Sequence, residues 1–234
     1  MKFITNLNRL HLINYPDIVC FQCRYDIKEY SDELFSFYEI SDEFERISNA
    51  VVKRKAEFLA GRYCARLAQE AIGLQVAKLP VGQHRNPIWP ENTNGSITHS
   101  GHLAFAAVAR RSLVPYFGID YEEVMEPDLA DKLMHTIINN QEKHYFEKFQ
   151  FSFSFMLTLA FSAKESLFKT LYPLVNQYFD FSAAELIDFQ YSNNQFTLRL
   201  TEQLTPLLNK GMEFTGHLTT YENSLLTFIS YQPK

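Results

Sequence analysis

FMLTLAFSAKESLFKTLYPL, residues 155–174, is the stretch on which the reading of the fold turns. At about 100° per residue, Ala160, Ala163, Leu167, Leu171 and Leu174 line one side of a helix, while Glu165 and Lys169 stand together on another. Such a stripe must be buried against a second layer, and the residues that follow supply one. Four short strands are predicted: Glu185–Gln190 and Gln195–Leu200, joined at Asn193 and Asn194, then Met212–Thr220 and Leu225–Tyr231, joined at Glu222 and Asn223. Upstream, residues 128–148 read as a further helical segment.

The first half repeats this plan. A long helix is predicted over residues 49–72, with Ser48 as N-cap and Gly73 as its stop, after an extended segment at Ile18–Tyr25. Strands follow near Ile97, at Leu103–Ala109 and at Tyr116–Asp120. Lys55-Ala56-Glu57-Phe58-Leu59 even echoes Lys164-Glu165-Ser166-Leu167 when Glu57 is laid on Glu165. The expectation is an α+β protein of two similar subdomains, each a long helix packed on a small antiparallel sheet. The junction falls near Ser112–Tyr116, dividing the chain into 1–114 and 115–234.

A chain of 234 residues can bury a core without disulfides or structural metal. With 46% hydrophobic and 21% charged residues it has the balance of a soluble globular protein. A net charge of −5 argues against a general nucleic-acid binder, whose phosphate contacts show as a basic domain. Basic residues nevertheless cluster at Lys53-Arg54-Lys55, Arg62, Arg66 and Arg110-Arg111. Three cysteines cannot all pair, and Cys20 and Cys23 sit in an apolar stretch without a second pair at zinc-ligand spacing, which reads as a reducing compartment. The first residues carry no signal-peptide core, and no run of about 18 apolar residues appears anywhere, so the expected location is the cytoplasm with no membrane span. No Gly-x-x-x-x-Gly-Lys loop, Gly-x-Gly-x-x-Gly, Gly-x-Ser-x-Gly or His-Glu-x-x-His is present.

Three segments carry chemistry. In Gly118-Ile119-Asp120-Tyr121-Glu122 the two acids lie two apart, so an extended chain aims both at one face. Two converging carboxylates repel, and a hard divalent cation holds both ionised; an acidic surface turn is the plainer alternative. In the later helix, Glu165 and Lys169 form an i,i+4 pair, the ordinary decoration of an exposed helix, yet Phe161 and Phe168 flank it and point to a partly apolar cleft. In the early helix, Val52, Ala56, Leu59, Tyr63 and Leu67 read as the core stripe, with Arg54 and Gly61 opposite and Arg62 toward their side. A helix-interior glycine marks close approach of another surface or a ligand, and arginines eight residues apart can hold a phosphate between them. Between these segments, Gly95-Ser96-Ile97-Thr98-His99-Ser100-Gly101 reads as a strand ending in a tight turn, where His99 is either structural or a donor to a phosphate oxygen.

Together and in this order, Arg54-Lys55-Ala56-Glu57-Phe58-Leu59-Ala60-Gly61-Arg62, Pro87-Ile88-Trp89-Pro90, Gly95–Ser100 and the two acidic motifs resemble the 4′-phosphopantetheinyl transferases of the surfactin and enterobactin synthetase type. The resemblance covers Arg54–Lys169, about half the chain. It implies the pseudo-twofold fold of that family and transfer of the 4′-phosphopantetheine arm of coenzyme A to a serine of an apo acyl- or peptidyl-carrier protein, with release of 3′,5′-ADP. Siderophore or other secondary-metabolite synthesis is the implied setting, and a coenzyme A-binding protein without transfer activity is the alternative.

By the same resemblance Asp120, Glu122 and Glu165 hold Mg²⁺, with Mn²⁺ as a substitute. Coenzyme A meets Arg54, Arg62, His84, Arg85, Thr98, His99, Lys164 and Lys169; Glu165, Lys169 and His99 are catalytic, with Glu165 as general base. The N-terminal subdomain takes the nucleotide, and the C-terminal one takes the metal and the carrier, which docks near Met125–Phe151. The chain is expected to act as a monomer. Tyr121 departs from the Ile usual between the two acids, and Phe161 stands in place of a Trp.

Overall fold

The computed structural model describes residues 2–12, 14–74 and 76–233. The chain divides into two compact units, Met1–Pro115 and Tyr116–Lys234. Both are α+β, each with one long helix on one antiparallel sheet, as the sequence pattern predicts.

Unit 1 contains β1 (Ile4–Leu10), β2 (Ile18–Tyr25), the single-turn α1 (Leu34–Phe37), α2 (Val52–Ala71), β3 (Thr93–Ser100) and β4 (Leu103–Arg110). Its sheet runs β1-β2-β4-β3, with Phe21 opposite Ala106 and Ala106 opposite Ile97. Strand β1 escapes the sequence reading because it is an edge strand whose residues from Thr5 to Arg9 are exposed, leaving no apolar alternation to detect.

Helix α2 begins later than expected. Ser48 does not cap it: its hydroxyl donates to Glu45 O at 2.8 Å in a preceding 3₁₀ turn, and Val51 takes the cap position without a side-chain bond. Gly73 ends the helix as expected, at φ +69°. The buried surface of α2 is wider than the expected stripe. Val52 is 53% exposed, whereas Phe58, Ala60, Gly61, Arg62 and Cys64 are buried. The added cover comes from α1 with Leu34 and Phe35 and from the segments carrying Phe44 and Leu79, which pack into the same core as the helix.

Unit 2 contains β5 (Tyr116–Glu123), α3 (Pro127–Ile137), α4 (Asn140–Phe146), α5 (Phe153–Val175), β6 (Ala184–Gln190), β7 (Gln195–Leu200), β8 (Glu213–Tyr221) and β9 (Ser224–Tyr231). The sheet order is β5-β9-β8-β7-β6, so the first strand of the unit pairs with its last, Asp120 opposite Thr227. The helix expected over 128–148 is two. Asn139 caps α4 by accepting from Gln141 N and Glu142 N at 2.8 and 2.9 Å, and Glu142 returns the bond from Asn139 N at 3.0 Å. This Asn-x-x-Glu capping box restarts the helix inside what the hydrophobic pattern alone reads as continuous.

The expected stripe of α5 is confirmed: Ala160, Ala163, Leu167 and Leu171 are fully buried and Leu174 partly so. Among the described residues no helix is long and apolar enough to cross a membrane.

Candidate active site

The acidic motifs meet where α5 lies on β5, and Gly118 permits the approach. A Cβ on Gly118 would stand 2.3 Å from Ser166 O, 2.8 Å from Lys169 Cβ and 2.9 Å from Thr170 N. Only a residue without a side chain lets the helix sit this close. Gly118, Asp120 and Glu122 alternate along β5 and share the face that α5 covers. Asp120 is buried and Glu122 half-buried.

Lys169 Nζ donates to Asp120 Oδ1 at 2.6 Å and to Ile119 O at 3.1 Å. One turn earlier on α5, burial pushes the Glu165 carboxyl above its ordinary range; the Lys169 ammonium opposes this and the Asp120 charge adds to it. Asp120, Glu165 and Lys169 thus form one electrostatic cluster.

A hydroxyl seam that the sequence reading did not single out holds the cluster in place. Ser162 Oγ lies 3.1 Å from the Asp120 carbonyl and 2.9 Å from Thr227 Oγ1. Ser166 Oγ lies 2.7 Å from Thr227 Oγ1, and Thr170 Oγ1 donates to Ile229 O at 3.2 Å. All four hydroxyls are buried. The detectable signal is Ser162, Ser166 and Thr170 at four-residue spacing, one line of hydroxyls along the helix.

Lys164 is not brought to the cluster. It is buried, donating to Ile137 O at 2.7 Å and pairing with Glu142 Oε1 at 2.8 Å; Glu142 in turn accepts from Leu186 N at 2.8 Å. Burial pulls the Lys164 ammonium below its ordinary value, and Glu142 works against that. In this structure Lys164 ties α5 to the α3–α4 corner and to β6, so the expected phosphate contact has no free ammonium behind it.

Unit 1 holds a second cluster. A hollow is lined by Arg54, Glu57, Phe58, Arg62, Arg85, Pro87, Ile97 and His99. Gly61 brings α2 onto β3 here, since a Cβ on it would lie 2.7 Å from Ile97 Cγ2. The close approach inferred at this glycine is therefore to a strand. Arg54 Nη1 lies 2.9 Å from His99 Nε2, and the Arg62 guanidinium stacks 4.8 Å above the Phe58 ring.

Arg62 pairs with Glu43 at 2.9 Å. Burial presses Arg62 downward and Glu43 upward, each partly offset by the other. Arg62 Nη1 is nevertheless a buried donor with no hydrogen-bond partner, a group that an anion would satisfy. Arg85, at φ 64°, sits in a turn closed by Gly82 N to Asn86 O at 2.8 Å, with His84 exposed beside it. Thr98 is not in the hollow, because strand alternation turns it to the face of β3 opposite Ile97 and His99. Glu43, Glu57 and Phe58 were not singled out as site residues; nothing in their local pattern separates them from an ordinary helix or loop.

The fit to a divalent cation is one of chemistry. Asp120 and Glu165 offer carboxylate oxygens whose charges repel, the donor type a hard cation takes, and the Lys169 ammonium now lies against Asp120. Among the described residues no three His, Cys, Asp or Glu side chains are gathered closely enough to hold a metal ion.

Comparison with known proteins gives two family matches. Residues 42–109 match the 4′-phosphopantetheinyl transferase N-terminal domain, and residues 116–220 match the 4′-phosphopantetheinyl transferase superfamily. Enterobactin synthase component D of Salmonella typhi is 38% identical over 125 residues, which are 53% of this chain and 51% of that protein. The Escherichia coli protein of the same name is 40% identical over 126 residues, 54% of this chain and 59% of that one. The 4′-phosphopantetheinyl transferase PptT of Mycobacterium tuberculosis is 28% identical over 165 residues, 70% of this chain and 71% of that protein. The chain thus spans about half the length of the enterobactin synthase components it matches.

Proposed function

Because the chain belongs to the 4′-phosphopantetheinyl transferase superfamily, we propose that it moves the 4′-phosphopantetheine arm of coenzyme A onto a serine of an apo acyl- or peptidyl-carrier protein. The observation that carries this reading is the pairing of part-exposed Lys169 with buried Asp120, with Glu165 beside it, set by the contact of α5 with β5 at Gly118.

The carrier serine Oγ attacks the β-phosphorus of coenzyme A. A bond from that phosphorus to the serine oxygen forms, the bond to the bridging oxygen breaks, and 3′,5′-ADP leaves. Glu165 is the base that takes the serine proton, and burial, by raising its carboxyl, makes it the stronger proton acceptor. Lys169 stabilises charge on the departing phosphate. Asp120, Glu122 and Glu165 are the residues to hold Mg²⁺ or Mn²⁺, with Lys169 released from Asp120 to the phosphate. When bound, the cation supplies Lewis-acid neutralisation of pyrophosphate charge.

In unit 1, Arg54, Arg62, Arg85 and His99 make the phosphate-binding cluster for the nucleotide, against the overall negative charge of the chain. The similarity to enterobactin synthase components points to a peptidyl carrier of siderophore synthesis as substrate. The three buried free cysteines agree with a cytoplasmic location.

The test is incubation of the protein with Mg²⁺, coenzyme A and apo-carrier proteins, followed by intact-mass measurement of the carriers. A phosphopantetheine mass gain on a carrier serine, lost in Asp120→Ala, is expected. Coenzyme A binding without any mass gain on any carrier would leave a binding protein and overturn the transferase reading.

A further inference from the structure

We propose that Trp89 is a positioning residue for Arg85: its indole, seated on Gly95, anchors the turn that carries Arg85 to the wall of the anion hollow. The identity of the anion as coenzyme A phosphate rests on the reading above, but the anchoring of the turn does not.

The argument begins at β3, where Gly95, Ile97 and His99 alternate onto one face of the strand. Helix α2 covers that face at Ile97, through Gly61. Trp89 covers it at Gly95, where a Cβ would stand 2.5 Å from indole Cη2 and 2.7 Å from Cε2. Only a residue without a side chain leaves room for the ring. The indole also packs against the buried cluster of Val19, Ala68 and Val108, so its seat belongs to the core of the unit.

From this seat the chain returns to Arg85 with little freedom. Pro87 and Pro90 fix φ on either side of Trp89. Ile88 N donates to Pro80 O and Gly82 N to Asn86 O, both at 2.8 Å, which closes residues 80–88 into a hairpin. Its first leg is held by Arg46 Nη1, which donates to Val81 O at 3.2 Å. At the tip Arg85 has φ 64°, a conformation that strains a residue with a side chain and that glycine adopts freely. The strained position carries an exposed arginine that lines the hollow with Arg54 and Arg62, and a neighbouring hollow with Arg46. On a loose turn that side chain and its backbone would both have to be ordered when an anion binds; the anchored hairpin orders the backbone beforehand.

The first test needs no ligand. Trp89 is the only tryptophan in the chain, so indole fluorescence reports on this seat alone. Emission of the wild type should be blue-shifted from that of the denatured protein, and Gly95→Ala, which forces a Cβ into the ring, should move it back. Hydrogen exchange in the same variant should speed up by about tenfold or more at the Gly82 and Ile88 amides, and by less across α2. Unchanged exchange at those two amides, or an equal acceleration in α2, would overturn the proposal, as would wild-type emission like that of the denatured chain. The second test is a double-mutant cycle read by calorimetric binding of coenzyme A. Gly95→Ala should weaken binding by about tenfold with Arg85 in place, the scale of ordering one more long side chain, and by less than about twofold in an Arg85→Ala background. Equal losses in both backgrounds would show that the seat does not act through Arg85 and sink the idea. If Gly95→Ala does not fold, Trp89→Leu, which adds no clash, replaces it in the exchange and binding measurements with the same expected results. If the wild type binds no coenzyme A, the functional reading fails and hydrogen exchange alone decides this inference.

Discussion

Gly118→Ala tests the packing on which the acidic cluster depends. The added Cβ would meet backbone atoms of α5, Ser166 O at 2.3 Å and Thr170 N at 2.9 Å, and neither can swing aside as a side-chain tip would. Ordinary contact begins near 3.4 Å, so helix and strand must separate by about 1 Å. Overpacking of this kind costs about 1–3 kcal/mol. For a chain of this length each kcal/mol moves Tm by about 2–4 °C, which puts the expected drop at roughly 2–12 °C. The same displacement carries Glu165 and Lys169 away from Asp120. A misplacement of about 1 Å is enough for a loss of about 10²-fold in turnover. The assays are a thermal melt and the carrier mass assay, run on the same preparation. A Gly118→Ala protein that melts within 1 °C (about the measurement error) of the wild type would refute the packing argument. One that melts lower but transfers at the normal rate would refute its link to the cluster.

Lys164→Met should lower the free energy of unfolding in denaturant by about 3–5 kcal/mol, because it strands the buried Glu142 carboxylate without its cation; a loss below about 1 kcal/mol would reopen Lys164 as a phosphate contact. Glu165→Gln divides its two proposed roles: if it is chiefly the base, turnover falls by about 10²–10⁴ and added Mg²⁺ does not restore it, whereas recovery at high Mg²⁺ would assign it to the metal instead. Burial holds the His217 imidazole below its ordinary 6.5, so the unfolded chain takes the proton first. That contribution to stability is complete above pH 6.5 and is lost as pH falls toward the lower folded value. His217→Gln should therefore flatten the decline of Tm on acidification below that pH, and an unchanged slope would contradict the assignment.

Much of this molecule is legible in its sequence, and the reason is periodicity. The apolar stripe of α5, Ala160 to Leu171, needs no partner to be recognised, and the alternation in β6 to β9 leads to the same antiparallel sheet that forms. The motifs that carry Asp120 and Glu165 were likewise readable from their order, and the structure brings both residues beside Lys169. Three features were decided only by tertiary packing. The edge strand β1 is exposed from Thr5 to Arg9 and exists through hydrogen bonds to β2, which no local pattern announces. Gly61 reads as a mark of close approach and Gly118 only as the start of the acidic motif, but what they admit, Ile97 and the backbone of α5, lies 36 and 48 residues away in the chain. Lys164 and Glu165 are neighbours in one motif, yet a helix turns successive side chains by about 100°. One therefore enters the core to meet Glu142, while the other joins Asp120 and Lys169. Sequence determines which residues share a face of their own element; which surface that face meets, and so which charge is spent on structure and which stays available for chemistry, is set by long-range contacts.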